Sequence, residues 1–295
     1  MMDELCSLIK DRKDDRGRGY VFNMAAYRRL PNSRSSFCIL RRFLQRNGRF
    51  ISSTSTFNHE TSIHVPDWSE NFRSHHIPTT PTQKLLLSVG ASIMALYNPY
   101  RHDMVAVAGE ATGYWALKQM HTKMMNDPVG KLILEEKPRI NSTTIDFECL
   151  RSLPNETLGK QYISFMDKNN ISADTRAMTK FVDDPELAYV IQRYREIHDF
   201  NHLLLGLPTN MLGEVVVKWF EMLQTGLPVC IFGAIFGPLR LNFSKSAQLM
   251  EVYLPWVIKT ARDSSSIMNV YIERHFEDNF EEFKEQIGIA PLPIT

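Results

Sequence analysis

Residues 184–221 read DPELAYVIQRYREIHDFNHLLLGLPTNMLGEVVVKWFE. Asp184 followed by proline is a helix start, because the aspartate side chain caps free amides and a proline at the first helical position loses no hydrogen bond. Apolar side chains then recur at helical spacing to Leu205, where the Gly-Leu-Pro of residues 206–208 stops the helix. A second helix is predicted over residues 209–224. The stretch therefore predicts a pair of helices joined by a short turn.

The end of the first helix carries two histidines and an aspartate within five positions. At 100° per residue, with Leu187 as the origin, His198 falls at about 20° and His202 at about 60°, inside the apolar stripe, and Asp199 lies at its edge. A buried polar group without a partner costs about 1–3 kcal/mol. These side chains therefore need partners inside the protein.

Two kinds of partner fit this spacing. Imidazoles at i and i+4 can bind one metal ion, which Asp199 would complete or whose ligands it would orient. Alternatively, His198 and His202 are core histidines bonded to backbone carbonyls, and Asp199 forms an ion pair with Arg195 one turn earlier. The helical spacing alone leaves both interpretations open.

Glu214 lies beyond the turn, on the second helix. The turn allows this helix to fold back and carry Glu214 toward the histidines. Helical periodicity, however, places Glu214 with Lys218 and Glu221, opposite the apolar face of the helix. Periodicity therefore favours an exposed Glu214–Lys218 pair, which stabilises a helix by about 0.2–0.5 kcal/mol.

Composition and charge limit the class of protein. The 295 residues are 43% apolar and 23% charged, as in a globular chain. Residues 1–51 carry twelve basic against five acidic residues, so the remainder, with twenty-two against twenty-eight, is mildly acidic and does not favour nucleic-acid binding. The four cysteines form no C-x-x-C pair, which excludes a cysteine-built zinc site and is typical of a reducing compartment.

The N-terminal part reads as a targeting segment. No acidic residue occurs from Met24 to His59, and arginine and serine are frequent there, as in a mitochondrial transit peptide. We expect a disordered presequence over residues 1–51, with processing near Ser52 and Met24 as an alternative start, followed by an irregular arm over residues 52–80. A disordered basic tail is the other interpretation.

The rest of the chain predicts helices. They cover residues 81–98, 103–125, a short segment from 128, 156–167, 184–205, 209–224, 228–236, 244–261 and 266–286. No alternation of period two is long enough for a sheet. The longest apolar run, residues 227–237, is well short of the roughly twenty residues that cross a bilayer. The predicted fold is mainly α, with a single multi-helix domain over residues 81–290.

The helix pair and three further stretches resemble one family. They are residues 189–221, LYNPYRHDMVAVAGEATG from Leu96, FVDDPELAY from Phe181 and FGPLRL from Phe236. The family is that of the fourth Coq protein of mitochondrial ubiquinone (coenzyme Q) biosynthesis, and the similarity spans most of residues 80–290. Its signature, H-D-x-x-H followed by eleven residues and a glutamate, is complete here.

The resemblance implies a site and a reaction. His198, Asp199, His202 and Glu214 would be ligands of a divalent metal, described as zinc, with Glu214 facing the histidines. The protein would be a carbon–carbon lyase, a decarboxylase that removes the C1 carboxyl of 4-hydroxy-3-methoxy-5-polyprenylbenzoate to give 2-methoxy-6-polyprenylphenol. It would be peripheral to the matrix side of the mitochondrial inner membrane, in a complex with other ubiquinone-biosynthesis proteins, and a homo-oligomer is left open.

Several alternatives stay open at the level of sequence. One is an oxidative decarboxylase that adds the C1 hydroxyl, and another is a non-catalytic lipid-binding scaffold that organises the biosynthetic complex. Two histidines with carboxylates also suit iron or manganese. Arg195 is the candidate for pairing with the substrate carboxylate. Residues 227–236 either line a cavity for the polyprenyl tail or form plain core.

Overall fold

The computed structural model describes residues 9–14, 17–22, 68–98 and 101–293. Contacts between residues divide the chain into two units, Met1–His64 and Val65–Thr295. In the first unit, strands β1 (Ile9–Asp14) and β2 (Gly17–Phe22) pair as an antiparallel hairpin, although the sequence has no alternation long enough to predict a sheet. The predicted processing site near Ser52 and the alternative start at Met24 lie outside the described residues.

The described part of the second unit is helical. Its α-helices are α1 (Trp68–His75), α2 (Pro81–Tyr97), α3 (His102–Thr112), α4 (Tyr114–Met125), α5 (Pro128–Glu136), α6 (Phe147–Arg151), α7 (Leu158–Asn169), α8 (Pro185–Leu205), α9 (Met211–Thr225), α10 (Pro228–Phe236), α11 (Phe243–Gln248), α12 (Leu254–Asp263) and α13 (Phe280–Gln286). Turns of 3-10 helix lie at Ala173–Thr175, Gly237–Arg240, Ile267–Asn269 and Ile272–Arg274, and a π-helical turn, Leu249–Tyr253, joins α11 to α12. The prediction of a mainly α fold is confirmed.

Helix starts were the most predictable local feature. Thr80 caps α2, and Gln83 returns a bond to the amide of Thr80, which completes a capping box. Asp184 caps α8 by accepting from the amides of Glu186 and Leu187. Because these bonds are local, the residues that make them could be recognised in the sequence.

The arm predicted to be irregular over residues 52–80 contains helix α1. Trp68 and Phe72, one helical turn apart, are each 5% exposed and reach the core together. The Trp68 indole donates to the carbonyl of Pro185 and meets Tyr189 edge to face. Polar residues around this pair of aromatic side chains obscured the short apolar face in the sequence.

Two predicted helices are interrupted. The helix predicted over residues 103–125 breaks at Gly113 into α3 and α4, and a Cβ at Gly113 would lie only 2.4 Å from the carbonyl oxygen of Gly109. The helix predicted over residues 244–261 contains the π-helical turn before Pro255. Proline has no amide to bond the carbonyl of Glu251, so the regular i to i−4 pattern cannot continue there.

The helix predicted over residues 266–286 is wrong for most of its length. Two 3-10 turns occupy its first part, and only α13 is α-helical. The buried Arg193 side chain donates to the carbonyl of Val270 at 2.8 Å and pairs with Glu273. That long-range contact uses a carbonyl that an α-helix would have bonded internally.

Helix α8 lies in the core and is buried at most of its positions. It packs against α1, α4, α7 and α9. Its Phe200 stacks on Tyr162 of α7, with ring centroids 3.9 Å apart. Among the described residues, no helix is both long and apolar enough to cross a membrane.

A tight turn connects α8 to α9. Gly206 ends α8 in the left-handed region, with φ of +67°, and the amide of Leu207 bonds the carbonyl of His202 at 2.9 Å. Asn210 caps α9 by accepting from the amide of Gly213. A Cβ at Gly213 would lie 1.9 Å from the carbonyl oxygen of Pro208, so only glycine allows the first turn of α9 to approach this loop.

Replacement of Gly213 by alanine tests this close approach. The added methyl would force the loop and α9 apart, and we expect the free energy of unfolding to fall by about 1–3 kcal/mol. Thermal and urea denaturation measure the change. Gly90→Ala in α2 is the matched control, because nothing lies within 4 Å of its Cβ position and its helix propensity improves. Equal stability of Gly213→Ala and Gly90→Ala would contradict the proposed steric limit.

Candidate metal centre

His198 and His202 lie one helical turn apart near the end of α8, as predicted. The side chain of His198 is 13% exposed and that of His202 is 1% exposed. Their ring centroids are 5.0 Å apart and the ring planes are perpendicular. The prediction from helical angles that both rings point inward is confirmed.

Glu214, in the first turn of α9, faces both histidines. Its Oε1 lies 3.3 Å from Nε2 of His202, and its Oε2 lies 3.6 Å from Nε2 of His198. The prediction of an exposed Glu214–Lys218 pair was wrong, since the short loop turns this face of α9 toward α8. The orientation implied by the family resemblance is confirmed.

The outer nitrogens of the two imidazoles are already bonded. Nδ1 of His202 lies 3.3 Å from the carbonyl oxygen of Leu207, and a carbonyl only accepts, so Nδ1 carries the proton. Nδ1 of His198 lies 2.6 Å from Oε1 of Glu221. Both rings therefore direct Nε2 toward Glu214.

The inward nitrogen of His202 shows that this group fits a metal ion. Its Nε2 is buried and has no hydrogen-bond partner among the described residues. A neutral imidazole there presents a lone pair to the carboxylate of Glu214, an arrangement that a bound cation would stabilise. One ligand atom from each of His198, His202 and Glu214 can be chosen so that all three lie within 4.8 Å of one another.

Without a metal ion, protonation of His198 lessens the repulsion between the histidine nitrogens and the Glu214 carboxylate. Burial and the Lys218 ammonium lower the pKa of His198, but the Glu221 carboxylate and the bond to Glu214 outweigh them and raise it to about 9. Burial raises the pKa of Glu214, yet the two neighbouring histidines hold it well below its usual range. Glu214 therefore remains an anion and supplies negative charge to the centre.

Asp199 lies beside the centre and is held by an arginine. Both of its carboxylate oxygens accept from Nη2 of Arg176, at 2.6 and 2.7 Å. Asp199 is 3% exposed. Its place among the metal ligands stays a prediction, because the group that converges in the structure consists of the two histidines and Glu214.

Arg195 has a different partner from the one considered in the sequence. It pairs with Glu110 of α3 and donates to the carbonyl of Ala106. The alternative of an Arg195–Asp199 ion pair was wrong, because Asp199 bonds Arg176. Binding of the substrate carboxylate by Arg195 stays a prediction.

Sequence reasoning missed Arg176, Lys218 and Glu221 as parts of this region. Lys218 and Glu221 form an ion pair at 2.6 Å, and their side chains are 17% and 1% exposed. Their three-residue spacing looks like a surface pair, and no local signal distinguishes a buried one. Arg176 comes from the loop before α8, so its contact with Asp199 depends on tertiary structure.

The sequence matches the profile of a known family. The sequence profile described as "Coenzyme Q (ubiquinone) biosynthesis protein Coq4" matches residues 73–293. This chain belongs to the Coq4 family. Helices α8 and α9, which carry the centre, lie wholly inside the matched range.

Curated members of the Coq4 family match most of the chain. The "Ubiquinone biosynthesis protein COQ4 homolog, mitochondrial" of Mus musculus is 56% identical over 74% of this chain and 82% of its own. The homologue of Homo sapiens is 54% identical over 75% of this chain and 83% of its own. That of Aedes aegypti is 42% identical over 84% of this chain and 94% of its own. The chain is thus a Coq4 protein of ubiquinone biosynthesis.

A solved structure shares the fold. It is a protein from Nostoc punctiforme, provisionally assigned to ubiquinone biosynthesis, with a TM-score of 0.56 and 19% identity. The match covers 71% of this chain and 99% of the other. At this identity the comparison shows a shared fold alone.

Replacement of Glu214 by glutamine tests the metal centre. We expect the wild-type protein to hold one divalent metal per chain and Glu214→Gln to lose most of it, because the anion between the two histidines is gone. Metal content after purification and competition with a chelator measure this. His275→Ala, which removes a partly exposed histidine paired with Asp278, is the control. Retention of metal by Glu214→Gln would contradict the ligand assignment.

Replacement of Asp199 by asparagine tests whether Asp199 is itself a metal ligand. If Asp199 is the fourth ligand, as the family signature implies, this variant should weaken metal binding about as much as Glu214→Gln does. Titration with the same chelator compares the two variants directly. A clearly smaller loss of affinity in Asp199→Asn would contradict this and leave Asp199 as a neighbour of the centre held by Arg176.

Proposed function

We propose that this protein is a metal-dependent carbon–carbon lyase that removes the C1 carboxyl of 4-hydroxy-3-methoxy-5-polyprenylbenzoate. The observation that supports the proposal best is the buried, unpartnered Nε2 of His202 opposite the carboxylate of Glu214. Membership of a ubiquinone-biosynthesis family supports the substrate class. We further propose zinc as the metal, held by His198, His202 and Glu214, with Asp199 as the predicted fourth ligand.

The charges around the centre suit an anionic substrate. Its three carboxylates are Asp199, Glu214 and Glu221, and its two cations are Arg176 and Lys218. With neutral histidines this leaves one uncompensated negative charge, and a divalent ion would leave one positive charge. A benzoate carboxylate would neutralise that charge on binding.

The reaction exchanges a carboxylate for a proton at one ring carbon. C1 of the benzoate accepts a proton, the bond from C1 to the carboxyl carbon breaks, its electron pair returns to the ring, and carbon dioxide leaves. When bound, the metal would act as a Lewis acid toward the substrate carboxylate or phenolate. The side chain of Glu214 is 38% exposed, so solvent reaches this edge of the centre and could supply the proton.

Two arginines are suited to orient the substrate. Arg176 is bonded to Asp199, next in sequence to His198, and its Nε is buried without a partner among the described residues. A planar guanidinium in this position can bind a carboxylate through two parallel bonds. Arg195 keeps the same role as a prediction, although Glu110 already occupies part of its guanidinium.

An exposed apolar surface supports a peripheral place on a membrane. We define the apolar surface as Leu85, Leu86, Val89 and Ile93 of α2, Phe232 and Ile235 of α10, and Leu239 and Phe243 that follow. Leu86 is 73% exposed and Phe243 is 91% exposed. Helices α2 and α10 are in contact, and Arg240 donates to carbonyls at the end of α2, so these residues lie on neighbouring elements.

Such a surface is unusual on a monomeric soluble protein and suits a lipid substrate. The relatives in mouse and human are described as mitochondrial. We therefore propose the matrix side of the inner membrane as its location, in a complex with other ubiquinone-biosynthesis proteins. The polyprenyl tail would then reach the centre from the bilayer.

Activity of the purified protein tests the lyase proposal. With a short-chain polyprenyl substrate, the wild-type protein should release carbon dioxide and form the phenol, and His202→Ala should reduce the rate at least about 100-fold, since one ligand is lost. Product mass and circular dichroism give the reaction and the integrity of the fold. A hydroquinone product, one oxygen heavier, would instead support the oxidative reaction with dioxygen as oxidant.

Full ubiquinone synthesis in cells that carry His202→Ala would contradict the catalytic proposal. If the biosynthetic complex also failed to assemble without the protein, the scaffold alternative would be favoured. His275→Ala serves as the control in both experiments.

Vesicle binding tests the apolar surface. Insertion of a leucine into lipid contributes about 1.5–3 kcal/mol, so Leu86→Glu should lower the partition coefficient at least about tenfold. Co-sedimentation with phosphatidylcholine–cardiolipin vesicles measures it. Val129→Glu, at an exposed apolar residue of α5 outside this surface, is the matched control. Equal binding by the two variants would contradict the assignment.

A further inference from the structure

A second carboxylate lies behind the candidate metal centre. Glu221 is on α9, two helical turns after Glu214, and is 1% exposed. A buried carboxylate is costly unless its oxygens are bonded and its charge is paired. The side chains that satisfy Glu221 therefore indicate why it is there.

Each oxygen of Glu221 has its own set of partners. Oε1 accepts from Nδ1 of His198 at 2.6 Å and from Nδ2 of Asn201 at 3.0 Å. Oε2 accepts from the Lys218 ammonium at 2.6 Å and from the Tyr194 hydroxyl at 2.7 Å. One oxygen thus holds the histidine, and the other is fixed by a cation and a hydroxyl.

The two histidines of the centre are oriented by different means. Nδ1 of His202 bonds the backbone carbonyl of Leu207 at 3.3 Å, in the turn that ends α8. His198 has no such carbonyl bond among the described contacts and relies on Glu221. A shorter bond to an ionised acceptor orients a ring more firmly than a longer bond to a neutral one.

We propose that Glu221 is a positioning residue for the metal centre. Its carboxylate holds the Nδ1 proton of His198 and thereby directs Nε2 of that ring toward the metal. The proposal rests on the metal site of the proposed function. Lys218 and Tyr194 in turn hold Glu221. The series of hydrogen bonds from Lys218 through Glu221 to His198 therefore fixes the orientation of one metal ligand. Glu221 acts through His198 and does not touch the metal.

Glu221→Gln in the full chain is the direct test. An amide has a single oxygen, which can serve His198 and Asn201 or Lys218 and Tyr194, but not both sides. We expect the variant still to bind one zinc or manganese ion per chain, with affinity about 10–100-fold weaker than wild type, as for other residues that orient a metal ligand. Competition with a chromophoric chelator measures the affinity.

Glu196→Gln is the matched control. Glu196 is also a buried carboxylate, 4% exposed, and it pairs with Arg139 rather than with a histidine. The control should lose stability in the same way but keep its metal affinity within about twofold. Equal weakening in both variants would show a general loss of stability and would overturn the positioning role.

A spectroscopic signature distinguishes positioning from packing. In the metal-loaded wild-type protein with 15N-labelled histidine, the Nδ1 proton of His198 should resonate at low field because of its bond to a carboxylate. Glu221→Gln should shift or lose this resonance, and Glu196→Gln should keep it. An unchanged resonance together with unchanged metal affinity in Glu221→Gln would overturn the proposal.

Two further results distinguish a failure of the metal site from a failure of the positioning role of Glu221. If Glu221→Gln does not fold, Glu221→Asp replaces it as the test. This variant keeps the negative charge beside Lys218 but withdraws the carboxylate oxygen from His198. A metal affinity equal to that of wild type in Glu221→Asp would overturn the positioning role. If the wild-type protein itself binds no divalent metal, the metal site fails together with this proposal. Metal binding by wild type with an unaffected Glu221→Gln would overturn the positioning role alone.

Discussion

The close approach of α9 to the end of α8 is the constraint on which the candidate centre depends. Gly213 passes so near the carbonyl of Pro208 that a side chain would not fit. This contact carries Glu214 to within 3.3 Å of His202 and 3.6 Å of His198. Two imidazole nitrogens and a carboxylate then face one another in a largely buried space, and a cation or protons must reconcile them. The outer nitrogens donate to the Leu207 carbonyl and the Glu221 carboxylate, and these bonds keep the rings in place.

Part of this centre could be predicted from the sequence. The helical angles of His198 and His202 predicted that they point inward with the apolar stripe, and α8 is in fact buried at most of its positions. The direction of Glu214 could not be obtained in the same way. Lys218 and Glu221 lie on the same face of α9 as Glu214. Helical periodicity assigns a face with charged residues to solvent, even where the charges form a buried ion pair. Only the resemblance to the Coq4 family predicted that Glu214 faces the histidines.

The difference between local and long-range interactions also explains which parts of the fold could be predicted. Helices α2 and α8 begin where Thr80 and Asp184 predicted, because a cap is a local interaction. The missed features depend on distant contacts: Trp68 turns part of the irregular arm into α1 by bonding Pro185, and Arg193 takes the carbonyl of Val270 out of a predicted helix. Local patterns cannot reveal such partners, since the residues involved are far apart in sequence.

The central claim is that α8 and α9 hold one divalent metal between His198, His202 and Glu214. Anomalous diffraction from crystals of the purified protein, collected at the zinc, iron and manganese absorption edges, tests it most directly. The account predicts a single anomalous peak within bonding distance of Nε2 of both histidines and of the Glu214 carboxylate. Metal-replete protein with no peak there, or with its peak at another place, would contradict the account.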